Sequence, residues 1–122
     1  MRNALGGAPK QNLQNYYKYS PFLASDEDGG RARLLKDIPL RFYVEVDTSW
    51  WKAMGWLGYE DQNVFDQDRM IQRLRKMGNE KVEQIKSTNK GYRKDGKRHP
   101  HSWSIVDERE LTKWILKKMG KR

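Results

Sequence analysis

Residues 40–47, Leu-Arg-Phe-Tyr-Val-Glu-Val-Asp, place the firmest constraint on how this chain folds. Leu40, Phe42, Val44 and Val46 alternate with Arg41, Tyr43, Glu45 and Asp47, and a side-chain period of two belongs to a strand with one buried face. Pro39 has no amide hydrogen to donate, so it suits only the strand start or an edge. A Trp-rich patch follows, Trp50-Trp51-Lys52-Ala53-Met54-Gly55-Trp56-Leu57. Ser49, or Thr48 before it, is the expected cap of a short helix there, and Gly55 and Gly58 limit its length.

The next apolar pattern has helical spacing. Met70, Ile71, Leu74 and Met77 predict a helix starting near Asn63 or Asp66, and Gly78 is the expected stop. Arg69, Arg73, Arg75 and Lys76 occupy its other face. Residues 79–87 stay open between helix and strand, because Val82 and Ile85 are too few positions to fix a period. If they are helical, residues 64–77 and 80–88 admit a helix-turn-helix around Gly78, with a basic wing after it. Ser102-Trp103-Ser104-Ile105-Val106 reads as a strand. Asp107 then opens a last helix, with Asp107-x-x-Glu110 resembling a capping box. Leu111, Trp114, Ile115 and Lys118 share one face of it, Lys118 able to snorkel at its edge. Lys113, Lys117 and Lys118 complement the helix dipole, and Gly120 ends the helix.

The N-terminal segment is different in kind. Gly6-Gly7-Ala8-Pro9 disfavours a helix. Tyr16, Tyr17, Tyr19 and Phe22 then cluster within seven residues, and Asp26-Glu27-Asp28-Gly29-Gly30 is a surface loop and a weak boundary. The expected organisation is a flexible N-terminal arm with an aromatic cluster, residues 1–30, and a single small α+β domain, residues 31–122. That domain is expected to hold a few antiparallel strands, three or four helices and a basic projecting loop or ribbon. The segment from Met1 to Ser25 lacks acids and faintly resembles an organellar presequence, without the amphipathic Arg/Ser character. No secretion signal is evident and no apolar run is long enough to span a bilayer, so the expected state is soluble or peripheral.

Charge is where composition bears on function. The 122 residues carry a net +9, and residues 61–122 hold seventeen Lys/Arg against nine Asp/Glu, while residues 1–60 hold eight against seven. A basic half invites an anionic partner: nucleic acid, an acidic protein face or an anionic membrane surface. The density peaks in residues 86–101, Lys-Ser-Thr-Asn-Lys-Gly-Tyr-Arg-Lys-Asp-Gly-Lys-Arg-His-Pro-His. Lys86, Lys90, Arg93, Lys94, Lys97 and Arg98 can reach phosphates, and Gly91 and Gly96 permit close backbone approach. Tyr92 offers a face for base stacking. Asp95-Gly96 is a hairpin-turn signal. His99 and His101 add to this surface, or one of them packs against Trp103. Arg69, Arg73 and Lys76 of the preceding helix extend the nucleic-acid-binding set.

Catalytic chemistry has thin support. The chain has no Cys, which removes disulfides, thiolate nucleophiles and Cys-based zinc sites. His99 and His101 have the spacing of a metal pair on a strand, with Asp95 or Asp107 as a third ligand, but the basic surroundings repel a cation. Glu45, Asp47 and Asp95 beside Lys97 loosely match a nuclease layout. No phosphate-binding P-loop or Gly-x-Ser-x-Gly elbow is present. The reading that follows is a non-enzymatic, basic nucleic-acid-binding protein, a subunit of a larger assembly, without catalytic residues, metal or cofactor. RNA or DNA and other protein subunits are the expected partners. Tyr16, Tyr17, Tyr19, Trp50, Trp51 and Trp56 are the candidate protein interface, because exposed aromatics anchor interfaces. One alternative is a structural subunit of an organellar or viral complex that uses its basic and Trp-rich surfaces for protein contacts. Another is a small metal-dependent nuclease.

Overall fold

The alternation at residues 40–47 does form a strand, β1 (Leu40–Glu45), but its partner is not a hairpin neighbour. It pairs with β2 (Val82–Ser87), and the two strands run parallel in one two-stranded sheet. The expected antiparallel sheet is therefore corrected. Parallel pairing needs a crossover of a dozen or more residues, and residues 46–81 supply it. The α+β mixture itself holds. The computed structural model describes residues 5–8, 11–55 and 58–120, and these fall into two compact units. One comprises Met1–Ile38 and Phe65–Val82; the other comprises Pro39–Val64 and Glu83–Arg122.

In the first unit, α1 (Leu13–Tyr19) lies within the segment expected as an arm, whose residues 1–4 and 9–10 lie outside the described residues. The acidic loop after it is organised by one side chain. Asp26 accepts the amides of Asp28 (2.9 Å) and Gly30 (2.8 Å), and the Tyr17 hydroxyl donates to its other oxygen. The Tyr17 bond, followed by the Gly30 amide, holds the Asp26 carboxyl below its ordinary pKa. A 3-10 turn, Gly30–Leu35, follows. Most of α3 (Asn63–Lys76) belongs to this unit, and Met70, Ile71 and Leu74 are buried with Leu23, Ala32 and Val82. Gly78 stops the helix as expected, at a φ of 91° that favours glycine.

Residues 82–87 being a strand removes the second helix of a helix-turn-helix. The reason is local. Gly78 breaks the helix, and the Asn79 side chain caps the turn by accepting the Lys81 amide at 2.9 Å, so the chain leaves extended.

The second unit holds the sheet, α2 (Thr48–Ala53) and α4 (Glu108–Lys118). Neither Ser49 nor Thr48 caps α2. Asp47 does, accepting the Trp50 amide at 2.9 Å, which makes Thr48 the first helical residue. α4 starts where expected, with Asp107 accepting the Glu110 amide at 3.0 Å. The capping box is only half formed, because the Glu110 carboxylate turns instead to Arg41 (2.6 Å) and Tyr43 (3.0 Å). Residues 102–106 are not a strand. Trp103–Ile105 form a 3-10 turn, closed by Ile105 donating to Ser102 and Val106 to Trp103. No helix among the described residues is long and apolar enough to cross a membrane.

β1 is covered on the face expected to be wet. Arg41 pairs with Glu83 of β2 and Glu110 of α4, and its guanidinium lies 4.8 Å from the Trp114 ring centroid. Trp114 donates to Glu83 at 2.9 Å, and Lys118 reaches the same carboxylate at 3.6 Å. Long-range ion pairs thus tie α4 to the sheet, in the position a hydrophobic contact usually takes.

Candidate nucleic-acid interface

The basic stretch is a closed hairpin rather than an open loop. His99 donates to the Gly91 carbonyl at 2.9 Å, Tyr92 and Arg98 form an antiparallel bridge, and Arg93 donates to the Lys97 carbonyl at 2.9 Å. Asp95 and Gly96 make the tip, with the Lys97 amide on Asp95 (3.0 Å) and Gly96 at a φ of 77°. At the base, Gly91 sits at a φ of 92°, and an added Cβ would meet the His99 carbonyl oxygen at 2.4 Å. Only glycine fits there.

One cation of the stretch anchors the rest. The Arg98 guanidinium pairs with both Glu45 and Asp47, and its Nε donates to the Lys90 carbonyl at 2.9 Å. Glu45, the last residue of β1, is 4% exposed and also accepts the Ser87 hydroxyl and the Lys90 amide, both at 2.8 Å. Burial pushes the Glu45 carboxyl up, but the bonds from Ser87, Arg98 and Lys90 outweigh it and leave it below its ordinary value. The Trp50 amide and then Arg98 hold Asp47 below its own. Glu45 and Asp47 are thus neutralised by an arginine instead of standing as metal ligands, and no group of three His, Asp or Glu side chains suited to a metal ion is assembled among the described residues.

The other cations of residues 86–101 face solvent. Lys86, Lys90, Arg93, Lys94 and Lys97 are exposed, and Arg93, Lys94 and Lys97 form no ion pair among the described residues. Tyr92 is 56% exposed. Arg69, Arg73 and Lys76 belong to the first unit and form a separate set. Arg69 stacks on Phe65 at 5.4 Å, Arg73 packs by Gly29, and Lys76 is exposed.

His99 and His101 do not pack on Trp103. They pack against the tryptophans of α2: the His99 ring meets Trp50 (4.8 Å) and Trp51 (5.9 Å) edge to face, and His101 lies tilted 4.8 Å from Trp51. The Nδ1 of His99 accepts the His101 amide at 3.1 Å, which takes that nitrogen away from any metal. Trp51 is buried and Trp50 half-buried in this cluster, while Trp56 lies outside the described residues. Among the tyrosines, Tyr16 donates to the Gly7 carbonyl (2.9 Å) and Tyr17 to Asp26, leaving Tyr19 the most open at 61% exposure.

Partial desolvation, and then the neighbouring His99, lower the His101 pKa from the usual 6.5. A depressed folded pKa means stability is fully present above pH 6.5 and falls as the unfolded chain takes up its proton first. Glu45 and Asp47 have the same sign at lower pH: their contribution is present above the usual 4.5 and 3.8 and is lost as pH drops through their folded values. Urea midpoints read by Trp fluorescence are therefore expected to decline slightly below pH 6.5, and more steeply once the pH passes under the ordinary carboxylate range. His101→Gln is expected to remove only the first decline.

Three features lay outside the reach of sequence reasoning: Glu45 and Asp47 as the anchor of Arg98, the buried Gly91–His99 closure, and the exposure of Trp103. Compared with known proteins, the chain matches no family model, no curated protein and no solved structure.

Proposed function

We propose that this protein binds nucleic acid through the hairpin of residues 91–99, without catalysing a reaction, as one subunit of a larger assembly. The observation that carries the reading is the division of labour among its cations. Arg98 is committed to the buried Glu45 and to Asp47, and the bridge above it presents Arg93, Lys94 and Lys97 to solvent with no ion pair among the described residues. A braced backbone reduces the ordering cost of binding, and unpaired cations need give up no protein partner to take a phosphate.

Binding to a fluorescent oligonucleotide is expected to be measurable at about 50 mM salt and to weaken steeply as salt rises. The triple variant Arg93→Ala/Lys94→Ala/Lys97→Ala should bind at least ~10-fold more weakly and lose about 2 from its log–log salt slope on single strands, at ~0.7 per phosphate contact. Its circular dichroism should match the parent, because these side chains are exposed. An unchanged slope, or no binding by the parent, would sink the reading.

A second reading, a structural subunit that makes protein contacts alone, draws on α4. Its Ile115 and Leu116, and Met119 at its C-cap, are exposed, a surface that favours a protein neighbour. It predicts weak nucleic-acid binding that the triple variant leaves unchanged.

A further inference from the structure

Trp103 is 82% exposed, the most open of the large hydrophobic side chains described. The 3-10 turn explains how. In a strand, Trp103 and Ile105 would share one face and be buried together. In a 3-10 turn, residues two apart diverge by about 120°. Ile105 consequently goes into the core, at 8% exposure, and Trp103 is turned out. An indole left in water forgoes a large burial energy, which points to a ligand that covers it.

The surroundings say what kind. Trp103 follows the basic hairpin directly. His99 closes the hairpin base on Gly91, and the Ser102 amide bonds back to the His99 carbonyl at 2.8 Å. That turn keeps Ser102 within about 7 Å of His99, and Trp103 is one residue further, so its Cα lies within about 11 Å of the closure. Arg98 of that hairpin is taken up by Glu45 and Asp47, but Arg93, Lys94 and Lys97 are exposed and form no ion pair among the described residues. The ligand that covers the indole must therefore tolerate, or want, positive charge beside it. A single-stranded nucleic acid offers both halves of that chemistry: phosphates for the cations and an unpaired base with an open π-face for the indole. A duplex offers only the phosphates, because its bases are stacked on one another.

We infer that the second unit is a single-strand binder, with phosphates held by Arg93, Lys94 and Lys97 and bases stacked on Trp103 and Tyr92. The inference rests on the proposed function and narrows its ligand to unpaired strands. Stacking and phosphate contact do not read the sugar, so RNA and DNA strands bind alike.

Anisotropy titrations with oligo-dT and oligo-U of roughly twelve nucleotides, and with a duplex of equal length, test it. Both single strands should bind within a few-fold of each other and at least ~10-fold tighter than the duplex. Trp103→Ala should weaken single-strand binding about fivefold or more, the loss of one stacked base, and leave duplex binding unchanged. Trp103→Phe should keep most of the affinity and Trp103→Leu should not. All three variants should melt like the parent, since so exposed a side chain adds little to the fold. Equal single-strand and duplex affinities, or a Trp103→Leu variant that binds like the parent, would overturn the stacking role while a salt-sensitive, hairpin-dependent interaction kept the parent reading. Failure of every oligonucleotide to bind at low salt would remove both. Trp103-dependent binding to anionic phospholipid vesicles, with no single-strand binding, would instead make the indole a membrane anchor and overturn the inference.

Discussion

Arg98→Ala is expected to destabilise the second unit by about 3–5 kcal/mol, although the residue sits in a stretch that reads as surface charge. The size of the effect comes from Glu45. Its side chain is 1% exposed, and Arg98 supplies the compensating charge that lets it stay ionised there. Removing the guanidinium strands a buried charge and frees Asp47 from its partner, and Lys90 loses the donor to its carbonyl. The Ser87 and Lys90 hydrogen bonds remain, so Glu45 is partly but not fully compensated. The double variant Arg98→Ala/Glu45→Ala should recover part of the loss, because it no longer buries an unpaired charge. All five tryptophans fall in the residues of the second unit, so urea unfolding followed by Trp fluorescence reads it directly. A loss below about 1 kcal/mol would mean that Arg98 is an ordinary surface cation.

Asn79→Ala is expected to cost the first unit about 2–4 kcal/mol. Asn79 is 2% exposed, and its amide donates to the Leu35 carbonyl (2.9 Å) and the Ile38 carbonyl (3.0 Å) while accepting the Lys81 amide. Alanine leaves two acceptors and one donor without this partner, and orphaned buried groups cost about 1–3 kcal/mol each where water cannot replace the bond. Asn79→Asp should do as badly or worse, because it replaces the double donor with a charge that faces two carbonyl oxygens. Hydrogen exchange of the α3 amides from Phe65 onward measures this unit, which contains no tryptophan. Protection unchanged in Asn79→Ala would show that the bridge contributes nothing to stability.

Parts of the fold were legible from short-range pattern. The period of two at Leu40–Val46 located β1, and the apolar spacing through Met70, Ile71 and Leu74 located α3, with Gly78 as its end. Asp107 announced α4. Other parts were not. Residues 102–106 alternate Trp103 and Ile105 as a strand would, yet the chain there turns locally, and two apolar positions cannot distinguish the two outcomes. β2 carries only Val82 and Ile85 as apolar markers, too few to fix its type or its parallel pairing with β1.

The candidate site divides the same way. That residues 86–101 are dense in positive charge was plain, and so was the turn at Asp95-Gly96. Which of those cations would be taken up by the protein was not, since Arg93 and Arg98 are alike in a one-dimensional reading. By itself the sequence determined the elements whose signals lie within a few residues: alternation, helical spacing, caps and glycine stops. Tertiary structure alone decided that the polar side of β1 is covered and that Arg98 rather than Arg93 meets Glu45 and Asp47. The physical reason is range. Periodicity and capping act between neighbours along the chain, whereas these ion pairs join residues some fifty positions apart and exist only once the backbone has brought them together.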